Sequence, residues 1–234
     1  MSVTSALFDL DGTLVDPAGA ITSGIRHALV AHGLADPGEA QVEALVGPPL
    51  QVGLRTIDGV TDENIEKIIA TYRSRYEEFG MDESKIYPGV IQLLQALRRA
   101  NIYVAVTTAK PVNIARKLLD RKGLTEHLDA IHGNESEHGE MGSSKTHIVA
   151  AALKDADLDA SSSVVIGDRY YDVDAARENS VASIGVSWGF AQDNELSHAD
   201  LLVDTTGQLA VALLGEQIAQ TLESENNGVQ EGAK

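Results

Sequence analysis

A chain of 234 residues with 43% apolar side chains can fill one large core, alone or with a smaller companion domain. Its 35 acidic and 18 basic residues give a formal net charge of −17, which repels nucleic acid and anionic membrane surfaces. The absence of cysteine excludes disulfides, thiolate metal sites and cysteine nucleophiles together.

The segment Met1 to Ser5 has no basic region followed by an apolar run, and no stretch approaches the ~20 apolar residues of a membrane span. The expectation is a cytoplasmic protein. The run Val3 to Leu10 reads as a buried strand that stops at Asp11-Gly12 and delivers carboxylates to a loop. From about Ala18 to Phe79 the pattern is helical and holds no strand: Ile21, Ile25, Ala28 and Leu29 recur at helix spacing, as do Ile65, Ile68, Ile69 and Tyr72. Gly47-Pro48-Pro49-Leu50 interrupts it, and Tyr87-Pro88-Gly89 closes it before a helix over Val90 to Arg99.

Short β runs and helices then alternate: Ile102 to Val106, Val112 to Lys122, Ala130 to His132, Thr146 to Leu153, Val164 to Ile166, a helix through Ala175 and Ala176, Ala182 to Val186, and Leu201 to Val203. Such alternation implies right-handed βαβ crossovers and a doubly wound parallel sheet of the α/β class, with the helical block inserted after the first strand. The expected division is a core over 1–16 and 84–222, a helical unit over 17–83, and a polar tail over 223–234.

Ligands of an open parallel sheet bind beyond the carboxyl ends of its strands, so the polar residues ending each run converge. Asp9, Asp11 and Asp168 would repel one another unless a hard cation such as Mg²⁺ joined them. One carboxylate, Asp9, can attack phosphorus, while Asp11 protonates the leaving oxygen and then activates water. Gly12 permits the sharp turn, its neighbouring amides can hold phosphate oxygens, and Thr13 adds a hydroxyl. Pro111 suits the first position of a helix, which would leave Thr108, Ala109 and Lys110 as an anion site with free amides. Lys145 can neutralise the nucleophile and the transferring group, and Asp172 can orient metal waters or Lys145 from outside the coordination shell, or cap its helix. The seven histidines show no ligand spacing; His132 and His138 are assigned to the loop after the third strand, without a role. Arg26, Arg55 and Tyr72 lie in the helical unit, where they could touch substrate but read first as solvent-facing or packing residues, and Trp188 and Phe190 read as packing near the rim.

These residues resemble the four motifs of the haloacid dehalogenase superfamily: Phe8 to Asp16 the first, Val106 to Pro111 the second, Lys145 the third, and Gly167-Asp168 through Asp172 the fourth. The resemblance implies a Rossmann-like core with a helical cap inserted after the first motif. It also implies a small phosphorylated metabolite as substrate, with Asp9 as nucleophile and metal ligand, Asp11 as acid/base binding metal through its carbonyl, and Asp168 as the remaining protein ligand. The stretch at Gly47 is similar to caps of phosphoglycolate phosphatase and of bacterial 5′-nucleotidases; Arg169 to Val173 and Trp188-Gly189-Phe190 lean to the latter. Ala109 stands where many phosphoglycolate phosphatase relatives carry Asn, and Thr146 where sugar-phosphate branches carry Pro. A phosphosugar mutase, or a non-catalytic phospho-ligand binding protein, is the alternative; a dehalogenase would need neither Asp11 nor magnesium. No feature of the sequence chooses between monomer and homodimer.

Overall fold

The computed structural model describes residues 3–17, 19–47, 50–134 and 144–215. Pro48, Pro49, His138 and the tail expected over 223–234 lie outside them. The chain opens with β1 (Ser5–Phe8) and the two-residue β2 (Val15–Asp16). It continues through α1 (Ala20–Ala31), α2 (Glu39–Glu43), α3 (Leu50–Leu54), α4 (Ile65–Arg75), a π-helical turn over Tyr76–Gly80, and α5 (Met81–Glu83). After β3 (Lys85–Ile86) come α6 (Val90–Arg99), β4 (Tyr103–Pro111), α7 (Val112–Arg121) and β5 (Ala130–Asn134). The last part is α8 (Thr146–Asp155), β6 (Ser163–Gly167), α9 (Tyr170–Glu178), β7 (Ala182–Val186), β8 (Leu201–Val203) and α10 (Thr206–Leu214).

Six of the strands form one parallel sheet in the order β5-β4-β1-β6-β7-β8. Taken along the chain, its strands therefore lie 3-2-1-4-5-6, the doubly wound arrangement expected from the alternation of elements. The central strands are short apolar runs buried throughout, Ser-Ala-Leu-Phe in β1 and Ser-Val-Val-Ile-Gly in β6, as a sheet covered on both faces requires. Phe8, Val106 and Ile166 belong to a large core on one face; Leu7, Ala105 and Val165 pack on the other against Val149 and Ala152 of α8 and Ala175 and Ala176 of α9. Burial of each such Leu, Ile or Phe contributes ~1.5–3 kcal/mol before the entropy of ordering is subtracted.

The helical block between β2 and β3 packs α1 on α4 and shares the larger core. Gly24 lets the two helices approach: a Cβ there would stand 3.1 Å from the Tyr72 ring. β2 and β3 pair antiparallel, Val15 with Ile86 and Asp16 with Lys85, and so join the two ends of the block. Runs of two residues carry too little pattern to be read from sequence. The same holds for α10, whose start is signalled only by the Thr205 hydroxyl accepting from Gln208 N–H at 3.1 Å.

The second β run is longer than its apolar stretch. β4 extends to Pro111 because Pro111 still pairs with Asn134 of β5, across an irregularity in register, and Asn134 Nδ2 donates to the Ala109 carbonyl at 2.5 Å. Pro111 consequently stands at the cap of α7 and not at its first position. His132 lies within β5 rather than in a following loop. Among the described residues, no helix is long and apolar enough to cross a membrane.

Candidate active site

The strand order reverses between β1 and β6, where the crevice of a doubly wound sheet opens. Asp9 follows β1 and Asp168 follows β6, so both carboxylates enter that crevice. Asp172 joins them from the first turn of α9. One carboxylate oxygen from each of the three lies within 4.8 Å of the others, and all three residues are buried. Asp172 bonds Lys145, one of its expected outer roles, and caps α9 by accepting from Arg169 N–H at 3.2 Å, with a carboxylate oxygen in the same cluster.

The cluster is held from several sides. Asp168 accepts from the Thr13 hydroxyl at 3.0 Å and from Phe190 N–H at 2.8 Å. Gly12, at φ +91°, and Gly189 close on it: a Cβ would stand 2.2 Å from Asp168 at the first position and 2.3 Å at the second. Burial first, then the charges of Asp9 and Asp172, push the Asp168 carboxyl up to about 8. Burial likewise pushes Asp172 up to about 6, with Lys145 opposing the shift and Asp9 adding to it. An all-oxygen donor set with this much unrelieved negative charge fits a hard divalent cation.

Lys145 caps α8 and is the buried cation of the cluster. Its ammonium lies 2.7 Å from Asp9 and also bonds Asp172. Burial alone would lower its pKa, but the two carboxylates outweigh that and raise it, so the group stays charged.

Asp11 points elsewhere. Its carboxylate meets the Lys110 ammonium at 2.7 Å, and its other oxygen is buried without a hydrogen-bond partner. Burial raises the Asp11 pKa while Lys110 opposes the shift. Lys110 also donates to the Tyr76 hydroxyl at 2.9 Å and stands 4.4 Å from the centre of that ring. Tyr76 opens the π-helical turn of the inserted block, a local irregularity of the kind that re-aims a side chain.

Thr108 is buried in β4, and its oxygen accepts from Lys110 N–H at 3.2 Å. The three residues lie in β4, in the irregular stretch between its paired positions Thr107 and Pro111, and of the amides expected to be free that of Lys110 is used locally. The side chain of Lys110 enters the site instead.

Arg26 pairs with Asp36 and Glu39, Arg55 pairs with Asp62, and Tyr72 stacks on Tyr76 with ring centres 5.8 Å apart, in line with surface and packing roles. Trp188 and Phe190 do more than pack, since Trp188 Nε1 donates to the Thr13 carbonyl at 3.2 Å and the Phe190 amide holds Asp168. Tyr76, Glu195 and the Arg169 side chain, which bonds Glu195 at 2.9 Å and the Val46 carbonyl, carry no spacing signal in the sequence.

Residues 6–186 match the family described as haloacid dehalogenase-like hydrolase. The chain belongs to that family. Its relatives include a 5′-nucleotidase of Pseudomonas aeruginosa, 35% identical over 195 residues that cover 81% of this chain and 85% of the other. A phosphoglycolate phosphatase of Agrobacterium fabrum is 31% identical over 221 residues, covering 92% and 94%. The protein named tyrosine-protein kinase PtkA of Mycobacterium tuberculosis is 34% identical over 199 residues, covering 85% and 67%. Its solved structure superposes with a TM-score of 0.77, covering 91% of this chain and 99% of that one. The haloacid dehalogenase-like core with its hydrolase chemistry is therefore established, and named phosphatases stand among its relatives.

Proposed function

We propose that this haloacid dehalogenase-like protein is a Mg²⁺-dependent phosphatase of a small phosphate monoester, a nucleoside monophosphate or a phosphoglycolate-like acid, acting through an aspartyl-phosphate at Asp9. The observation that carries this reading is the buried convergence of Asp9, Asp168 and Asp172 at the strand switch point, with Lys145 bonded to Asp9. The two relatives with phosphatase and nucleotidase names support the substrate range.

Asp9, Asp168 and Asp172, with the Asp11 carbonyl, would hold the cation, which when bound offsets negative charge on carboxylates and phosphoryl oxygens. Asp9 attacks phosphorus as the bond to the ester oxygen breaks, and Asp11 gives its proton to that oxygen. Asp11 then takes a proton from water, which attacks phosphorus, releases phosphate and frees Asp9. Lys145 neutralises the nucleophile and the phosphoryl group, while Gly12, Thr13, Thr108, the Ala109 amide and the Lys110 side chain bind the phosphate side of the substrate. The helical block over 17–83 serves as a cap that excludes water from the crevice.

Phosphate release from a panel of nucleotides, sugar phosphates and phosphoglycolate, with and without Mg²⁺, tests the reading against Asp9→Asn. Metal-dependent release lost in the variant supports it, and absence of release from every ester by folded protein overturns it. The likeness to a protein named a kinase favours a second reading, transfer to an acceptor other than water. A phosphorylated acceptor or isomer without free phosphate is its signature.

A further inference from the structure

We infer that Arg169 is a positioning residue that sets the cap on the core, through the turn at Val46-Gly47, without supporting the metal-binding loop. The inference rests on the proposed phosphatase reading for its kinetic part alone.

Arg169 follows Asp168 directly, yet its side chain leaves the carboxylate cluster. Its Nε bonds Glu195 at 2.9 Å, and one terminal nitrogen donates to the Val46 carbonyl between α2 and α3 of the inserted block. Both side chains are nearly out of solvent, at 7% and 10% exposure, so the forked cation has traded water for these two partners. Glu195 is fixed in turn by Tyr170 N–H at 3.2 Å and Gln192 N–H at 2.9 Å. The turn is shaped around the guanidinium: Gly47 has φ +110°, and a Cβ there would stand 3.0 Å from the Arg169 side chain.

The metal-binding side of the same loop does not use that side chain. Asp168 is held by Thr13 and Phe190, and Asp172 by Lys145 and by the backbone N–H of Arg169, which any replacement keeps. Substitution of the side chain therefore separates the two duties. A cap freed at this point costs substrate binding first, because the interactions it contributes are made alike in ground and transition states.

The test uses Arg169→Met with Glu195→Gln, which removes the buried charges together, and Arg169→Lys, which keeps a cation for Glu195 but lacks the second donor for Val46. Amide exchange of α2 and α3, Mg²⁺ affinity and the split between kcat and KM are read on each variant. The expected result is exchange about tenfold faster in α2 and α3, KM raised about tenfold, and kcat and Mg²⁺ affinity changed by less than about threefold. Unaltered exchange in α2 and α3, or a joint fall of kcat and Mg²⁺ affinity, overturns the inference. If the double variant fails to fold, Arg169→Lys decides by the same readings. Should the wild type release no phosphate, the phosphatase reading fails, and exchange alone still decides the role of Arg169.

Discussion

The crevice has two walls of different origin. On the sheet side, Asp9, Asp168, Asp172 and Lys145 stand at strand ends or first helical turns and touch one another directly. On the cap side, contact is made by core cations reaching outward: Lys110 to Tyr76, and Arg169 to the Val46 carbonyl. On the proposed reading chemistry is assembled at the strand ends, and the inserted block, which shares the larger apolar core, adds these polar contacts beside it. On that reading, residues of the inserted block can vary without disturbing the carboxylates at the strand ends.

The widest separation between the walls is expected from Asp9→Asn. Phosphate release should fall by at least about a thousandfold, because the amide cannot form the acyl-phosphate. The metal-free fold should keep its stability or gain some, since one of three crowded carboxylates is neutralised. Steady-state kinetics and urea unfolding without metal check the pair of outcomes. Lys145→Met should do the reverse to stability. It strips Asp9 and Asp172 of their buried counter-charge, at a cost of ~3–5 kcal/mol in metal-free urea unfolding. Unchanged stability would mean that the cluster is not held by this ion pair.

The sheet wall was legible because its parts are local in sequence. Asp9-Leu10-Asp11-Gly12-Thr13 is a strand end followed by a turn, and Gly167-Asp168 repeats the arrangement at β6, the strand beside β1. The alternation of β runs and helices supplies the topology that brings the two together. The cap wall was not legible, because its contacts join segments with no common period. Tyr76 meets Lys110 from 34 positions away, and Arg169 meets Val46 from 123. The course of Thr108 to Lys110 was hidden for a related reason: pairing of Thr107 and Pro111 with β5, a tertiary effect, carries the strand on to Pro111, and the helix starts only after it. Only Asp172 crosses between the two cases, a helix cap by local rule and a member of the cluster by geometry.

A smaller effect links pH to the cation. Burial and neighbouring carboxylates hold Asp168 up to about 8 and Asp172 up to about 6, both above the ordinary carboxylate range. Without metal the folded state keeps protons that the unfolded chain has released, so stability falls as pH rises from about 4 to about 8. On the proposed reading Mg²⁺ would take the place of those protons. The gain in Tm on adding Mg²⁺ should therefore be larger near pH 8 than near pH 6, as thermal unfolding at the two values would show. An equal gain at both would mean that the cation binds away from these carboxylates.

The least effect should come from Tyr76→Phe, on the opposite wall. The substitution removes the hydroxyl that accepts from Lys110 but keeps the ring against which the ammonium lies. Lys110 retains Asp11 as its partner, so neither buried charge is left alone. A cost of about 0.5–1.5 kcal/mol in unfolding is expected for the hydrogen bonding lost with the hydroxyl, with kcat changed by less than about threefold. Should kcat instead fall a hundredfold while stability holds, the Tyr76 hydroxyl would be acting on Asp11 or the leaving group in the transition state. The inserted block would then share in the chemistry, and the division between the two walls would not hold.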